Sequence, residues 1–206
     1  MRRYLSALKR RAAVVLRCGM LCAAAVTPIL AHSIAVDLDP AKTKIEFTLG
    51  DVLHTVHGTF KLQSGHIELN PATKAISGLV RVDAASGESG SRTRDKRMTK
   101  DILEAAQYPE AAQYPEVTFT PTALAGELSS ASSTATVTGW FAIHGQRHQL
   151  SVPVQVRIAG REVSASGKFQ VPYIAWGMKN PSTFLLHVNE QVQIEVTAVG
   201  SIAGNP

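Results

Sequence analysis

The stretch Lys44-Ile45-Glu46-Phe47-Thr48-Leu49 alternates without a slip: Ile45, Phe47 and Leu49 fall on one side of an extended chain, Lys44, Glu46 and Thr48 on the other. A period of two is the repeat of a strand with one buried face; a helix would group positions three and four apart. Working outward, Val192, Ile194, Val196 and Ala198 alternate with Gln193, Glu195 and Thr197. Val152, Val154, Val156 and Ile158 do the same against Pro153, Gln155 and Arg157. Further runs of this kind occupy 54–62, 66–70, 75–83, 117–122, 135–143 and 162–171. Asn70-Pro71, His144-Gly145 and Ala159-Gly160 punctuate them as turns. Many one-sided strands in succession predict an all-β antiparallel sandwich or barrel.

One segment departs from this pattern. Residues 94–107 (RDKRMTKDILEAAQ) predict a short helix, with Met98, Ile102 and Leu103 toward the core. Ser91, Thr93 or Asp95 would cap it, and Tyr108-Pro109 would end it. Next comes a direct repeat: Ala105–Glu110 and Ala111–Glu116 both read AAQYPE. Two copies of six residues are a local duplication, not a repeat architecture. Residues 126–135 form a polar loop, and 172–190, with two prolines and a Trp-Gly-Met step, an irregular one of the kind that carries function.

The N-terminus has a different character. Residues 1–33 hold Arg2, Arg3, Lys9, Arg10, Arg11 and Arg17 and no acidic residue; the apolar run Cys18–Ala31 follows the last of them, and small residues stand at Ala31 and Ser33. That is the composition of a secretory signal peptide, and the run is too short for an ordinary membrane span. The expected organisation is therefore a signal at 1–33 and one mature domain at 34–206 with no stable membrane span. Removing the six leader cations takes the net charge from +5 to −1, so the domain has no electrostatic claim on nucleic acid. Both cysteines, Cys18 and Cys22, lie in the leader, which leaves the domain without a disulfide or a thiolate.

Strand glycines are informative by their phase. Gly58 stands between Val56 and Phe60, Gly78 between Ile76 and Val80, Gly139 between Val137 and Phe141, Gly167 between Ala165 and Phe169. All four share the apolar face, where a filled core would want volume. They either leave room, for a ligand or another backbone, or let strands bend at barrel corners; both imply a strongly curved sheet.

No chemical constellation emerges. His54 and His57 fall on opposite faces of a strand, His66, His144 and His148 lie near turns, and His187 stands alone, so no metal site is expected. Asp95, Asp101 and Glu104 belong to the helix region and suit capping or ion pairing better than acid–base work. No nucleophile elbow, phosphate loop or dinucleotide fingerprint is present, and no cofactor is called for. The expectation is a binding protein, not an enzyme.

The ordered features resemble the YceI-like, or polyisoprenoid-binding, family of bacterial periplasmic proteins. DPAKTKIEFTLGDVLHTVHGTF resembles its first hairpin, ending in Val56, Gly58 and Phe60. SRTRDKRMTKDILEAAQYPEVTF, read across the duplication, resembles its Arg-Asp helix and Tyr-Pro strand, through Arg94, Asp95, Met98, Leu103, Tyr114, Pro115 and Phe119. Gly139–Gly145 with 148–158, and Trp176-Gly177-Met178 with Val192-Gln193-Ile194, resemble its central hairpin and its closing loop and strand. Two departures stand out: Leu49-Gly50-Asp51 replaces the His-Leu-Gly turn of many members, and the doubled AAQYPE lengthens the link from helix to strand.

The resemblance implies a lipocalin-like extended barrel of about eight antiparallel strands with a helix near one end. It also implies a periplasmic location and a lumen holding an isoprenoid, an isoprenoid quinone or a fatty-acid derivative. Expected lining residues, beside the glycines and their neighbours Val56, Phe60, Phe141 and Phe169, are Phe47, Phe119, Val154, Val156 and Ile194, with Trp176 and Phe184 closing the mouth. The alternative is an interaction module with a filled barrel. A homodimer is left open.

Overall fold

The computed structural model describes residues 33–50, 54–105, 113–128, 132–183 and 187–203. The expected signal peptide, both cysteines and Phe184 lie outside the described residues.

Nine strands form: β1 (Ile34–Leu38), β2 (Lys44–Gly50), β3 (Thr55–Leu69), β4 (Ile76–Glu88), β5 (Glu116–Gly126), β6 (Ser133–Ile143), β7 (Gln146–Ala159), β8 (Glu162–Val171) and β9 (Val192–Ala203). Each pairs antiparallel with its neighbours in the order β3-β2-β9-β8-β7-β6-β5-β4, and β4 returns to β3, so eight strands close into a barrel. This is the expected all-β, lipocalin-like barrel. β1 stands outside that ring of eight. It pairs with the far ends of β3 (Val36 with Ile67) and β9 (Val36 with Ile202), filling the slot that β2 fills at the near end. The turn at Asp39–Thr43 joins these two collinear pieces, held by the Asp39 N–H on the Val199 carbonyl at 2.8 Å.

Two expectations change at this level. Residues 54–62 and 66–70 were separate runs in the sequence, but β3 is one long strand. A register shift between Leu62 and Ser64 adds one residue to β3 without ending it, and so moves the apolar phase from Leu62 to Gly65, while the shift between Thr59 and Lys61 places its extra residues on β4. The helix α1 starts earlier than expected, at Arg92–Arg97, and runs into a single π turn over Met98–Ile102. Ser91 is its N-cap residue by position but makes no side-chain cap bond. Asp95 instead reaches back and accepts the Ser89 N–H (2.8 Å) and its hydroxyl, while Arg94 donates to the Ser89 carbonyl (2.8 Å). The Arg-Asp pair thus ties the helix to the end of β4.

His144 and Gly145 make the two-residue β6–β7 turn, both with positive φ (50° and 73°). That twist matches a β-hairpin and suits glycine at the second position. Of the duplicated segment, 106–112 lies outside the described residues. Its flanks are placed: Ala105 is 1 % exposed, and the Glu104 carbonyl accepts both the Gln113 and the Tyr114 N–H at 3.2 Å.

Candidate functional site

Register fixes which side chains face the lumen. Ile45, Phe47 and Leu49 of β2 stand opposite Phe60, Gly58 and Val56 of β3. Phe119 of β5 faces Phe141 of β6, Val154 and Val156 of β7 face Gly167 and Ala165 of β8, and Phe169 faces Ile194 of β9. The described members of the expected lining set other than Trp176 are therefore all in the inward phase of their strands.

They do not share one environment. At the end that carries α1, a buried cluster joins Ala84, Leu103, Ala105, Phe141, Ile143, Val171, Tyr173 and Met178. Phe60, Phe119, Phe169 and Ile194 pack against it. The Phe141 ring lies 5.8 Å from Phe169 and 5.9 Å from Trp176, and Phe47 lies 5.4 Å from Phe60. Successive turns at 172–178 carry Tyr173, Ile174, Trp176 and Met178 into this end: Trp176 N–H bonds the Pro172 carbonyl (3.1 Å) and Met178 N–H the Tyr173 carbonyl (3.0 Å). The Tyr173 hydroxyl donates to the Asn189 carbonyl at 2.7 Å, and burial, with a smaller effect of the Glu190 charge, pushes its pKa up to about 12. Trp176 therefore packs on the cluster at this end of the barrel.

Toward the other end the inward side chains are small and aliphatic: Val154, Val156 and Ile158 on β7, Val163 and Ala165 on β8, Val196 and Ala198 on β9. All are only half-buried, although a closed ring of strands surrounds them. These short side chains line this half of the barrel and keep part of their surface accessible, around a buried Ala135 on β6.

The glycines need a correction. A side chain at Gly58 would run into the Phe47 ring (2.4 Å) and the Glu88 carbonyl (2.3 Å); one at Gly139 would meet the Thr120 carbonyl (2.5 Å) and the Phe119 ring (2.7 Å). Their missing side chains do not open the lumen. They admit a cross-strand aromatic ring lying over the bare backbone, as glycine–aromatic pairs do in curved sheets. At Gly78 the backbone itself is close, with the His66 carbonyl 2.1 Å from where a Cβ would sit. Gly167 is looser, with the Pro153 carbonyl and a Val152 methyl both at 3.0 Å.

His148 was overlooked as a lumen residue. It sits in phase with Leu150 and Val152, opposite Phe141, and stacks flat on Trp176 at 3.9 Å and 5°. Its Nε2 is buried with no hydrogen-bond partner, and burial holds the ring below the ordinary imidazole range. The signal was available: a histidine in the phase of an apolar strand face. Among the described residues no three His, Cys, Asp or Glu side chains gather as a metal site, and no helix is long and apolar enough to cross a membrane. Hollows of about 290 Å³ and 420 Å³ lie against the wall, the first among Gln155, Val156, Arg157, Ser164, Ala165 and Ser166, the second among Asp37, Leu38, Gly65, His66, Leu79 and Arg81.

Fold and inner wall together define a lipocalin-like antiparallel barrel with an apolar interior. A family model, the YceI-like domain, matches residues 37–199, and the chain belongs to that family. Among solved structures it is similar to Burkholderia cenocepacia BcnA, at 24 % identity and a TM-score of 0.62, over 79 % of this chain and 98 % of that one. It is also similar to a polyisoprenoid binding domain from Saccharophagus degradans implicated in plant cell wall breakdown (14 %, TM-score 0.58, 82 % and 99 % covered). A third is the Campylobacter jejuni YCEI protein (17 %, TM-score 0.57, 74 % and 88 % covered). These likenesses show the fold. No curated protein sequence matches the chain.

Proposed function

We propose that this protein is a periplasmic carrier that holds a long-chain apolar or amphiphilic molecule, of the isoprenoid, isoprenoid-quinone or fatty-acid type, inside the barrel, and that it catalyses no reaction. The observation that carries this reading is the half-burial of Val154, Val156, Ala165, Val196 and Ala198 inside a closed ring of strands. An apolar wall that its own side chains leave uncovered gains free energy, about 25 cal/mol per Å², from any apolar chain that covers it. The family and the likeness to a polyisoprenoid binding domain support the ligand class. The leader composition supports export to the periplasm.

Native mass spectrometry of the exported protein, with solvent extraction of the same sample, tests the carrier reading. A mass excess matching an extractable lipid is expected. A clean apo mass under gentle ionisation, with nothing in the extract, overturns it in favour of an interaction module. N-terminal sequencing of periplasmic material tests export: the chain should begin between His32 and Ala35, and a start at Met1 refutes it.

A further inference from the structure

Within the ring of eight strands, β4 and β5 share the shortest ladder. It has four register pairs, from Asp83–Glu116 to Val80–Phe119, although the strands run 13 and 11 residues. Below Val80, Ile76–Leu79 stays paired to β3, and beyond Phe119, Thr120–Gly126 stays paired to β6, but these two stretches do not pair with each other. The cause is local. Two residues further on, the ladder would set Gly78 against Pro121. Proline has no N–H to donate, and Gly78 has a φ of 133°, outside the range of a regular strand. Thr122 then forms a bulge against β6, its hydroxyl on the Thr138 carbonyl at 3.2 Å, which shifts the phase of β5 beyond that point.

We propose that this unzipped stretch is a lateral portal. The wall parts between Ile76–Leu79 and Thr120–Gly126, the apolar chain of the ligand slides sideways into the aliphatic half of the lumen, and the ion pair Lys74–Glu127 latches the opening. The proposal rests on the carrier reading above and adds the ligand's way in.

Three observations support it. The stretch lies at the right height: Leu124 is level with Val137 and Val152, and Gly126 with Ala135 and Val154. Its lips are apolar on both faces. Ile76, Pro121 and Leu124 are in the inward phase, while Leu79, Ala123 and Ala125 are in the outward phase, where the wall beyond, on β6 and β8, carries Thr136, Thr138, Ser164 and Ser166. All six except Pro121 keep accessible surface. Finally, little holds the lips together. The β7–β8 ladder also stops short, at Val154–Gly167, but there Leu150, Phe169 and Trp176 pack into the buried cluster; no residue of Ile76–Leu79 or Thr120–Gly126 belongs to it. Lys74 of the β3–β4 turn reaches Glu127, just past β5, at 3.1 Å, and both side chains are exposed. An exposed ion pair is weak enough to open and close, and a wall segment with few cross-strand bonds is where local opening costs least. The α1 end offers no such route, because Phe141 and Tyr173 are buried there.

The test uses the mature protein, which has no cysteine of its own, stripped of lipid, with all-trans-retinol as a fluorescent isoprenoid probe. Lys74→Cys/Glu127→Cys is bridged with a bismaleimide that a reductant cleaves. Lys168→Cys/Glu195→Cys, across a register pair of the fully zipped β8–β9 ladder, is bridged in the same way. Stopped-flow fluorescence follows uptake and release. The 74–127 bridge should slow both at least tenfold, leave the equilibrium affinity within twofold, and lose its effect on reduction; the 168–195 bridge should change neither rate. Lys74→Glu, which sets two carboxylates at the latch, should speed release about threefold and needs no bridge. Rates indifferent to the 74–127 bridge, equal slowing by both bridges, or release unchanged in Lys74→Glu overturns the portal, while retinol binding keeps the carrier reading intact. If the unbridged protein binds no retinol, the carrier reading itself fails, and the portal with it.

Discussion

The two ends of the barrel are built from the same strands and behave as different materials. Near α1, Phe47 is 5 % and Phe141 8 % exposed, with Phe119, Phe169 and Trp176 closing round them. Toward Ser133 the same strands present shorter side chains, valines and alanines that stay partly exposed around a buried Ala135. One closed sheet therefore combines an aromatic core, which holds the ring shut, with an aliphatic lining. Stability and binding are properties of different halves, and substitutions should sort by height in the barrel rather than by strand.

The largest contrast should come from truncation. Phe141→Ala at the filled end should cost about 3–5 kcal/mol, read as a shift in the urea midpoint. Val156→Ala, on an uncovered wall, should cost under about 1 kcal/mol. Equal losses at both sites would mean that the interior is packed throughout.

Overfilling comes next. Gly139→Val must displace the Phe119 ring or the Thr120 carbonyl, and should cost about 2–3 kcal/mol, or roughly 4–12 °C in Tm for a domain of this size. Ala165→Leu should leave the apo Tm within about 3 °C and abolish lipid retention in the extract. A Gly139→Val protein of normal Tm would restore the idea that this glycine opens the lumen.

A smaller effect lies in the acid limb, where two histidines contribute opposite signs. Burial lowers the pKa of His148 from 6.5, so the unfolded chain takes up the proton first, and stability falls as the pH drops below about 6.5. On the outer face, a hydrogen bond donated by His66 Nδ1 to the Asp37 carboxylate raises the pKa of His66. Its contribution is complete below 6.5 and fades as the pH climbs through the raised value. His148→Phe should flatten the acid loss of Tm, and His66→Gln should steepen it slightly. A profile unchanged by His148→Phe would place that ring in water.

How far the sequence carried follows from what alternation can encode. The strict patterns of β2, β7 and β9 revealed strands and their inner faces directly. β3 was split because its bulge beside Leu62 shifts the phase, and phase was the only signal in use. The choice between the two readings of the glycines was hidden for a different reason. What stands over Gly58 and Gly139 is decided across the sheet, by Phe47 on the neighbouring strand and by Phe119 one step along the diagonal, and a single chain does not announce its cross-strand partners. His148 was legible in phase but was weighed only as a metal ligand. The partial exposure of the aliphatic half could not have been read, since Val156 has the same residue type whether a partner covers it or not.

The least effect should come from the duplication. Because the Glu104 carbonyl already bonds the Gln113 N–H, deleting 106–111 makes Glu104, Ala105, Ala112 and Gln113 four consecutive residues. The bond then becomes the first-to-fourth link of a β-turn. The Tm of this deletion should lie within about 2 °C of the parent. A fall of several degrees would show that the inserted copy contributes packing to the filled end.

The slot shared by β1 and β2 has a consequence in time. Both segments lie next to β9, so Ala35 pairs with Ala203 and Phe47 with Ile194. The first strands out of the ribosome are locked by the last. Until β9 exists, β1, β2 and β8 keep unpaired edges, the barrel wall has a seam, and apolar faces on both sides of it have no reason to stay together. Contacts this distant along the chain make folding slow and leave it nothing to complete in pieces. A chain that cannot close early stays unfolded for longer, which is the state a protein needs if it is to be threaded across a membrane before it folds.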